Sequence, residues 1–489
     1  MRYLAIDLGS TFIKGAVLDL DARSFAHVRR VPFPAPILGL PPLHYEVDPR
    51  QIIEATRALL DDLARDAPDC AGLVLCGQQH GLVLIDARGG PASNAITWRD
   101  QRALGPHPAG GTLFEHLKRR VSPEDRQRLG NELRPGLPLC ALVTMAELVQ
   151  LPPSATAAAL PDFVLAQLCG APPATDATMA AAQGALDLAA RDWHRPLLEA
   201  LGLGGLAWPT IQDIRTPVGE ARVGARRVPC YPAIGDQQCA LLGAALQPGE
   251  LSLNISTGSQ VSLIRPALAF GDYQVRPFFD GAWLNTITHI PAGRALELLV
   301  TLLCELAETQ GVRVPDPWGA IARAVEATPA TDLTIDLAFF ASALGDRGAI
   351  GNIHEGNLSA GHVFRAAFER MAATYALCAH RLSPEAEWSR LVFSGGLAQN
   401  LPALRESVVG QFGAPYRVCA TTEDTLQGLL ALALVCSGRA ATLAEAVAAV
   451  GGDAAPEPPP KSECSRDIGI KRDDACNSRI SNTSKETNT

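Results

Sequence analysis

Two short turns in the sequence combine a glycine with several hydroxyl groups. The first lies within Asp7–Lys14 (DLGSTFIK) and the second within Asn254–Gln260 (NISTGSQ). A tight turn of this kind points N–H groups and hydroxyls toward one spot, which suits a phosphate. Asp7 could hold Mg²⁺ through water, and Lys14 adds a mobile positive charge. Each turn alone is also typical of a plain hairpin, but the pair favours a nucleotide clamped between two halves of the molecule.

A carboxylate that could act as a base follows an apolar segment. Gly235-Asp236-Gln237-Gln238 comes directly after the apolar residues 228–234. An Asp between a strand and a helix is often only an N-cap. Its functional interpretation is a general base for a hydroxyl proton, which is the proton-handling task that phosphoryl transfer requires. Asp236 is therefore the candidate base.

Two polar loops could bind a polyol. They are Gln78-Gln79-His80-Gly81 and, further along the chain, Trp98-Arg99-Asp100-Gln101-Arg102. Amides and charged groups bond hydroxyls, and an indole can cover a C–H face of a sugar. A third segment, Ser394–Asn400 (SGGLAQN), carries paired glycines after a strand, where a helix can begin close to a planar base or ribose. Read alone, each segment is better explained as an ordinary loop.

Elements that would position these residues occur in the same order twice. Alternating apolar residues predict strands at Tyr3–Leu8 and Ile13–Leu20, followed by a helix over 51–66 and a strand at Gly72–Leu75. The second set is predicted as strands 251–256 and 260–264, helices 294–310 and 361–381, strand 391–393 and helix 426–437. A duplicated α/β unit with a site in the cleft between its halves is the simplest architecture for this order.

Charge and cysteine content exclude several classes of protein. The 489 residues carry a net charge of −9, with 42 Lys+Arg against 51 Asp+Glu and no dense basic run, which argues against a nucleic-acid binder. No apolar run approaches the roughly 20 residues that span a bilayer. Asp7 places a charge where a signal peptide would need an apolar stretch. The 12 Cys show no CxxC pair and no spacing typical of metal ligands. We therefore expect a cytoplasmic protein with reduced thiols.

The composition changes at Ala455. Three of the five lysines, Lys461, Lys471 and Lys485, follow Pro460, among Pro, Ser, Asn and Asp. We expect 455–489 to be a disordered tail. A natural tail and a shifted-frame extension both explain this composition. We predict that truncation after Pro460 leaves activity intact.

Taken in order, the six polar segments resemble the FGGY family of carbohydrate kinases over about residues 1–450. The resemblance implies two actin/ribonuclease-H-like domains around a cleft. The sugar-binding domain would be 1–245 and the nucleotide-binding domain 246–454. It also implies ATP and Mg²⁺ as cofactors and transfer of the γ-phosphoryl group to a sugar hydroxyl.

The resemblance assigns roles by position. Asp236 would be the catalytic base and Asp7 the carboxylate beside Mg²⁺. The ATP-binding residues would be Gly9, Ser10, Thr11, Lys14, Thr257, Gly258, Ser259, Gly395, Gly396 and Asn400. The sugar-binding residues would be Gln79, His80, Trp98, Asp100, Asp236 and Gln237.

Two kinds of ketose kinase within the family compete as the best match. The Gln-x-His-Gly loop is similar in both, and Gln79 replaces the Met usual in both. Three features favour the members that act on sedoheptulose: the segment 235–238, the segment 253–257, and the succession of segments 333–335, 345–347 and 359–362. In the xylulose type a Pro normally follows the segment equivalent to 345–347 closely, whereas here Gly348 follows Arg347. We expect sedoheptulose to be converted to sedoheptulose 7-phosphate, with xylulose or another pentulose or polyol as the alternative.

Two other classes stay open. A non-catalytic actin-like ATPase would share the phosphate turns but would have no use for a polyol pocket. A sugar-binding module would have no use for Asp7, Lys14 and Asp236. The expected partners are the sugar and ATP, without nucleic acid or membrane, and a homodimer stays open because the sequence does not fix the oligomeric state.

Overall fold

A computed structural model describes residues 1–152, 154–328, 330–340, 342 and 345–451. Strands within these residues are β1 Arg2–Leu8, β2 Phe12–Asp19, β3 Ser24–Pro32, β4 Glu46–Val47, β5 Leu73–Gly77, β6 Leu82–Ile85, β7 Ala95–Ile96, β8 Thr156–Ala159, β9 Ala174–Thr175, β10 Leu186–Asp187, β11 Asp192–Trp193, β12 Thr210–Ile211, β13 Gly219–Val223, β14 Arg226–Cys230, β15 Ile234–Gly235, β16 Glu250–Ile255, β17 Gly258–Arg265, β18 Gln274–Pro277, β19 Trp283–Pro291, β20 Thr334–Asp336, β21 Ala349–Gly351, β22 Arg390–Ser394 and β23 Tyr416–Val418. Helices are α1 Pro49–Asp66, α2 Leu113–Arg120, α3 Pro123–Arg128, α4 Pro138–Glu147, α5 Leu160–Cys169, α6 Ala177–Ala181, α7 Arg195–Ala200, α8 Asp236–Gly243, α9 Gly293–Thr309, α10 Pro317–Glu326, α11 Ala360–Leu382, α12 Gly396–Asn400, α13 Pro402–Phe412, α14 Asp424–Cys436 and α15 Leu443–Val450. The predicted disordered tail, 455–489, lies outside the described residues.

The first large sheet has the strand order β13-β14-β5-β1-β2-β3, with β15 beside β5. β1 and β2 form an antiparallel hairpin in which Asp7 lies opposite Lys14, and β5 runs parallel to β1. Both faces of β1 are buried. Leu4 and Ile6 share a core with α1 and α5, and Ala5 shares one with α14 and α15. The ends of β1, β5 and β15 therefore open at the same edge.

The second large sheet repeats this arrangement in the order β18-β19-β17-β16-β22-β23. β16 and β17 form an antiparallel hairpin, and β22 runs parallel to β16 with Ser394 opposite Asn254. Alternation along β16 buries Leu251 and Leu253 in an apolar core with α9 and α11. The opposite face of the strand carries Ser252 and Asn254. The duplicated hairpin-then-α/β order predicted from the sequence is confirmed.

Two helices cross between the sheets. α8 begins at the end of β15, and α14 packs against both α8 and the first sheet. A Cβ on Gly243 of α8 would overlap the carbonyl oxygen of Asp424, and one on Gly428 of α14 would overlap that of Cys239. Glycine at both positions therefore lets the helix backbones touch, which fixes the start of α14 close to α8.

Several element boundaries differ from the sequence-based expectations. α1 begins at Pro49, because the Asp48 side chain caps the helix by accepting from Arg50 N–H. β17 already begins at Gly258 rather than at Gln260. The cysteines of the described residues are free thiols and mostly buried. Among the described helices, none has the length and apolar character needed to cross a membrane.

Candidate active site

The first phosphate turn joins β1 to β2 at the opening edge of the first sheet. Asp7 is 6% exposed, and burial raises the pKa of its carboxyl above the usual value. Lys14 Nζ lies 3.9 Å from Asp7 Oδ2, and the residues between, Gly9–Thr11, are half-buried to exposed. The turn thus combines a carboxylate and a cation with accessible N–H and hydroxyl groups, as the phosphate interpretation requires.

The second phosphate turn lies beside a cavity of about 760 Å³. Three of the predicted ATP-binding residues line this cavity, namely Thr257, Gly396 and Asn400. Gly258 begins β17, but Ser259 is 1% exposed and its hydroxyl bonds the Tyr375 hydroxyl at 2.8 Å. The side chain of Ser259 therefore belongs to the core, and only its backbone is left for a phosphate.

Residues that the motifs did not point to complete the walls of this cavity. Arg294 and Leu298 of α9 and Trp318 of α10 line it. Gly395 turns β22 into α12 with φ 87°, and a Cβ there would lie 2.5 Å from Ile255 O. Only glycine fits this approach. The size and the mixed apolar and polar walls suit an adenosine group.

Asp236 is the first residue of α8, at the end of β15. Its Oδ1 accepts a hydrogen bond from Gln237 N–H at 2.9 Å. Desolvation and the negative charge of Asp7 raise the pKa of the Asp236 carboxyl to about 7, against the opposing effects of that hydrogen bond and of Arg276. A carboxylate with a pKa near neutrality is well matched to general-base catalysis.

Arg276 of β18 connects the predicted sugar loop to the base motif. Its guanidinium bonds Glu132 Oε1 at 2.6 Å and Gln79 Oε1 at 3.2 Å, and it also donates to Gln237 Oε1. Arg276 is 5% and Glu132 6% exposed, so the pair is buried. Gln79 also donates to Gln238 Oε1 at 3.1 Å. Neither Arg276 nor Glu132 stands in a recognisable motif, and no local sequence signal pointed to them.

Arg134 bridges the Gln78–Gly81 loop and the second sheet. Its Nη2 lies 2.9 Å from His80 Nε2, and its Nη1 lies 2.6 Å from His289 Nε2. Desolvation and the charges of Arg134 and Arg276 lower the pKa of His80 well below its usual value, and the same causes lower the pKa of His289 to about 4. Both imidazoles are therefore neutral at pH 7, and each accepts a hydrogen bond from Arg134.

The two candidates in the second polar loop, Trp98 and Asp100, have different surroundings. Trp98 is 41% exposed, and the Arg99 guanidinium lies over its ring, 5.3 Å from the ring centre. Asp100 is 3% exposed; its Oδ1 accepts from Arg102 Nε at 2.8 Å and its Oδ2 from Tyr45 N–H at 2.8 Å. The Asp100 carboxylate is thus engaged in fixing the loop.

A group of possible metal ligands lies next to this loop. His44, Glu46 and Asp100 bring ligand atoms within 4.8 Å of one another. Arg102 forms ion pairs with both Glu46 and Asp100. The guanidinium already balances the two carboxylates, so the set is better explained as a buried ion-pair network than as a metal site.

A polar cavity of about 250 Å³ separates Asp236 from the second sheet. Asp424 and Ser252 are among its lining residues, and Ser252 Oγ is buried without a hydrogen-bond partner. This cavity and the larger cavity beside Thr257 both border the hairpin of β16 and β17. Asp236, Asp7 and the hairpin of β16 and β17 therefore lie around one cleft between the sheets, and Gln79 reaches α8 at its edge through its bond to Gln238. The Trp98–Arg102 loop lines neither cavity.

Two sheets of matching topology around such a cleft define the actin/ribonuclease-H-like class of α/β proteins, in agreement with the expected fold. The chain belongs to the FGGY family of carbohydrate kinases, whose N-terminal domain matches residues 2–243. The match begins in β1 and ends in α8, so it includes the first phosphate turn, both polar loops and Asp236.

Individual relatives are similar at low sequence identity. Human sedoheptulokinase is 24% identical over 469 residues, which cover 84% of this chain and 93% of the relative. A Marinomonas glycerol kinase is 28% identical over 272 residues, and a Streptomyces coelicolor xylulose kinase 28% over 306. The chain spans about half of the glycerol kinase (53%) and 58% of the xylulose kinase.

Solved structures with the same fold span nearly the whole chain. Lactobacillus acidophilus gluconate kinase gives a TM-score of 0.82 at 18% identity, with 94% of each chain covered. Plasmodium falciparum glycerol kinase with ADP gives 0.78 at 17% identity, with 93% of each chain covered. At these identities the likeness establishes the fold alone.

Proposed function

We propose that this protein is an ATP-dependent sugar kinase that phosphorylates the terminal hydroxyl of a ketose. The observation that carries the proposal is the environment of Asp236. Its carboxyl has a pKa of about 7, and it lies between the phosphate turn of Asp7 and the loop that carries Gln79. A non-catalytic ATPase would not need such a base beside polar loops.

In the proposed reaction, Asp236 accepts the proton of the sugar hydroxyl while the hydroxyl oxygen bonds to the γ-phosphorus and the bond to the β-phosphate oxygen breaks. The products are the sugar phosphate and ADP, and the proton stays on Asp236 until it passes to solvent. Lys14 and the backbone of the second turn offset the charge on the phosphoryl oxygens. Closure of the cleft would exclude water and suppress ATP hydrolysis.

Asp7 is the residue we assign to a divalent cation. Its carboxylate is buried and has a raised pKa, and the nearby Asp236 adds a second carboxylate of raised pKa. Lys14 is the cation within 4 Å of Asp7. This donor set fits Mg²⁺, which prefers a few carboxylate contacts and retains water. A bound Mg²⁺ would neutralise phosphate charge.

Sedoheptulose is our first candidate substrate. The alignment with human sedoheptulokinase extends over 93% of that relative, whereas the glycerol kinase and xylulose kinase alignments cover little more than half of theirs. Xylulose is the alternative. We also propose 1–245 as the sugar-binding and 246–454 as the nucleotide-binding domain. A cytoplasmic location and a homodimer stay predictions.

ADP release with a panel of acceptors tests the function. The panel contains sedoheptulose, xylulose, glycerol and gluconate, the last because Arg134 could pair with a carboxylate. We expect the highest kcat/KM with sedoheptulose. Higher kcat/KM with xylulose or another acceptor would move the assignment to that sugar. No turnover with any ketose, polyol, aldose or sugar acid, in protein that binds ATP, would refute the kinase proposal.

A further inference from the structure

The first turn of α14 contacts both charged residues of the first phosphate turn. Thr425 Oγ1 donates to Asp7 Oδ2 at 2.7 Å. Two residues earlier, Glu423 Oε2 accepts from Lys14 Nζ at 3.1 Å. Asp7 is 6% and Thr425 9% exposed, so their hydrogen bond is shielded from water. The segment that carries Glu423 and Thr425 belongs to none of the motifs singled out in the sequence.

The position of Thr425 is fixed by packing on two sides. On one side, Leu426, Leu429 and Leu430 of α14 are buried in the core beneath the first sheet. On the other side, the close approach at Gly243 holds the carbonyl of Asp424 against α8. The Thr425 hydroxyl is therefore presented to Asp7 by a rigid helix end and not by a loop that could follow the carboxylate.

A hydrogen bond of this kind changes what a buried carboxylate can do. Burial raises the pKa of Asp7, whereas the hydrogen bond from Thr425 and the charge of Lys14 lower it. The hydroxyl donor therefore favours the ionised form and fixes the orientation of the carboxylate. Groups that orient a metal-binding carboxylate typically contribute a factor of about 10–100 in metal affinity.

We propose that Thr425 is a positioning residue that holds the Asp7 carboxylate in the orientation needed for the divalent cation accompanying the nucleotide phosphates. Thr425 also lines the polar cavity beside Asp236, and its proposed effect on the cation is exerted through the hydrogen bond to Asp7. The inference rests on the function proposed above, because that function assigns Asp7 to the cation. Its test is a binding measurement without sugar, so it can fail independently of the kinase proposal.

The test is Mn²⁺ binding to the full-length protein in the presence of saturating ADP. Binding is measured from the electron paramagnetic resonance signal of the free Mn²⁺. Thr425→Val keeps the shape of the side chain and removes the donor, so the Mn²⁺ dissociation constant should rise by about 10–100-fold. Thr425→Ser keeps the hydroxyl and should stay within about threefold of wild type. Thr425→Ala also removes the hydroxyl and takes the place of the valine variant if that variant does not fold.

Two controls separate orientation from general damage. Thr422 is exposed near the start of the same helix, and Thr422→Val should leave Mn²⁺ binding unchanged. ADP affinity without divalent cations should be the same in all variants. Wild-type Mn²⁺ affinity in the valine and alanine variants would overturn the inference, as would equal weakening in the serine variant. No Mn²⁺ binding by the wild-type ADP complex would overturn it together with the assignment of Asp7.

Discussion

Asp236→Asn should inactivate the protein and make it more stable at alkaline pH. The asparagine keeps the size of the side chain and its hydrogen bond from Gln237 N–H. It removes a carboxylate that desolvation and Asp7 disfavour in its ionised form. The variant therefore separates what Asp236 costs the fold from what it contributes to the reaction.

The size and sign of the stability effect follow from the pKa. The carboxyl moves from its usual 3.8 to about 7 in the folded protein. The folded state then binds the proton more tightly than the unfolded chain, so wild-type stability falls as pH rises through this interval. At about 1.4 kcal/mol per pKa unit, the penalty is roughly 1.7 kcal/mol at about pH 5 and roughly 4 kcal/mol at about pH 8.5, as an upper limit. Asp236→Asn does not carry this penalty.

Urea unfolding at about pH 5 and about pH 8.5 measures the difference. We expect the stability advantage of Asp236→Asn over wild type to grow by about 2–3 kcal/mol between the two conditions. Asp61 is an exposed carboxylate on α1, and Asp61→Asn serves as the matched control for the loss of a carboxylate outside the cleft. In parallel, sugar-dependent ADP release should disappear only in Asp236→Asn, while ATP binding is retained.

Two results would refute the reasoning. An equal stability difference at both pH values would mean that the cleft does not raise the pKa of Asp236. Substantial sugar phosphorylation by Asp236→Asn would mean that another group accepts the proton. In wild type, the acid limb of kcat/KM should have a midpoint near pH 7, because the base must be ionised.

Three further variants test the supports of the site. Gly243→Ala places a methyl group against the Asp424 carbonyl and should lower the free energy of unfolding, measured in urea, by about 1–3 kcal/mol. Its control is Gly410→Ala, at an exposed helical position where nothing lies within 4 Å of the added Cβ. This control should be neutral or stabilising by up to about 1 kcal/mol. Arg276→Met removes the guanidinium that bonds buried Glu132 and leaves it with Arg134 at 3.9 Å, so the variant should cost up to about 3–5 kcal/mol. It should also raise the pKa of Asp236 and move the acid limb of kcat/KM to higher pH. An unmoved limb would contradict the proximity of the two charges. Trp98→Ala should change the free energy of unfolding by less than about 0.5 kcal/mol, because the side chain is 41% exposed. It should raise KM for the sugar by about tenfold, equivalent to about 1.4 kcal/mol. An unchanged KM would remove Trp98 from the sugar site.

The fold was predictable where local patterning and tertiary environment agree. β1 and β2 are short runs of mainly apolar residues on either side of the Gly-Ser-Thr turn, and both strands occur within two residues of their predicted ends. The helix predicted over 361–381 is observed at Ala360–Leu382. What the sequence pattern could not give is that α14 and α15 return to the first sheet, because an apolar helix carries no information about which of two apolar sheets it covers.

The candidate site was predictable only where its residues stand beside glycine-containing turns. Asp7 and Lys14 lie in the two strands that flank the first turn, Asp236 directly follows β15, and each has a glycine within two residues, so a local pattern marks them. Arg276 and Thr425 lie in ordinary-looking segments and reach the cleft only because distant parts of the chain meet there, Thr425 being 418 residues from Asp7. Long-range contacts of this kind leave no signature in a single sequence.

The charges of the cleft explain why its supporting residues come from both halves. Asp7, Asp236 and Asp424 all have pKa values raised by burial, and Asp7 also raises that of Asp236 and Asp424. Opposing cations come from different elements, Lys14 from the first hairpin and Arg276 from the second sheet. Closing the cleft therefore has two opposite effects on Asp236: exclusion of water, the largest cause of its raised pKa, disfavours the ionised form, whereas the approach of Arg276 from the second sheet favours it. Arg276 thus offsets part of the desolvation that a closed cleft imposes on the Asp236 carboxylate, and a shift of the sheets that moved Arg276 away would remove this support while leaving Lys14 in place.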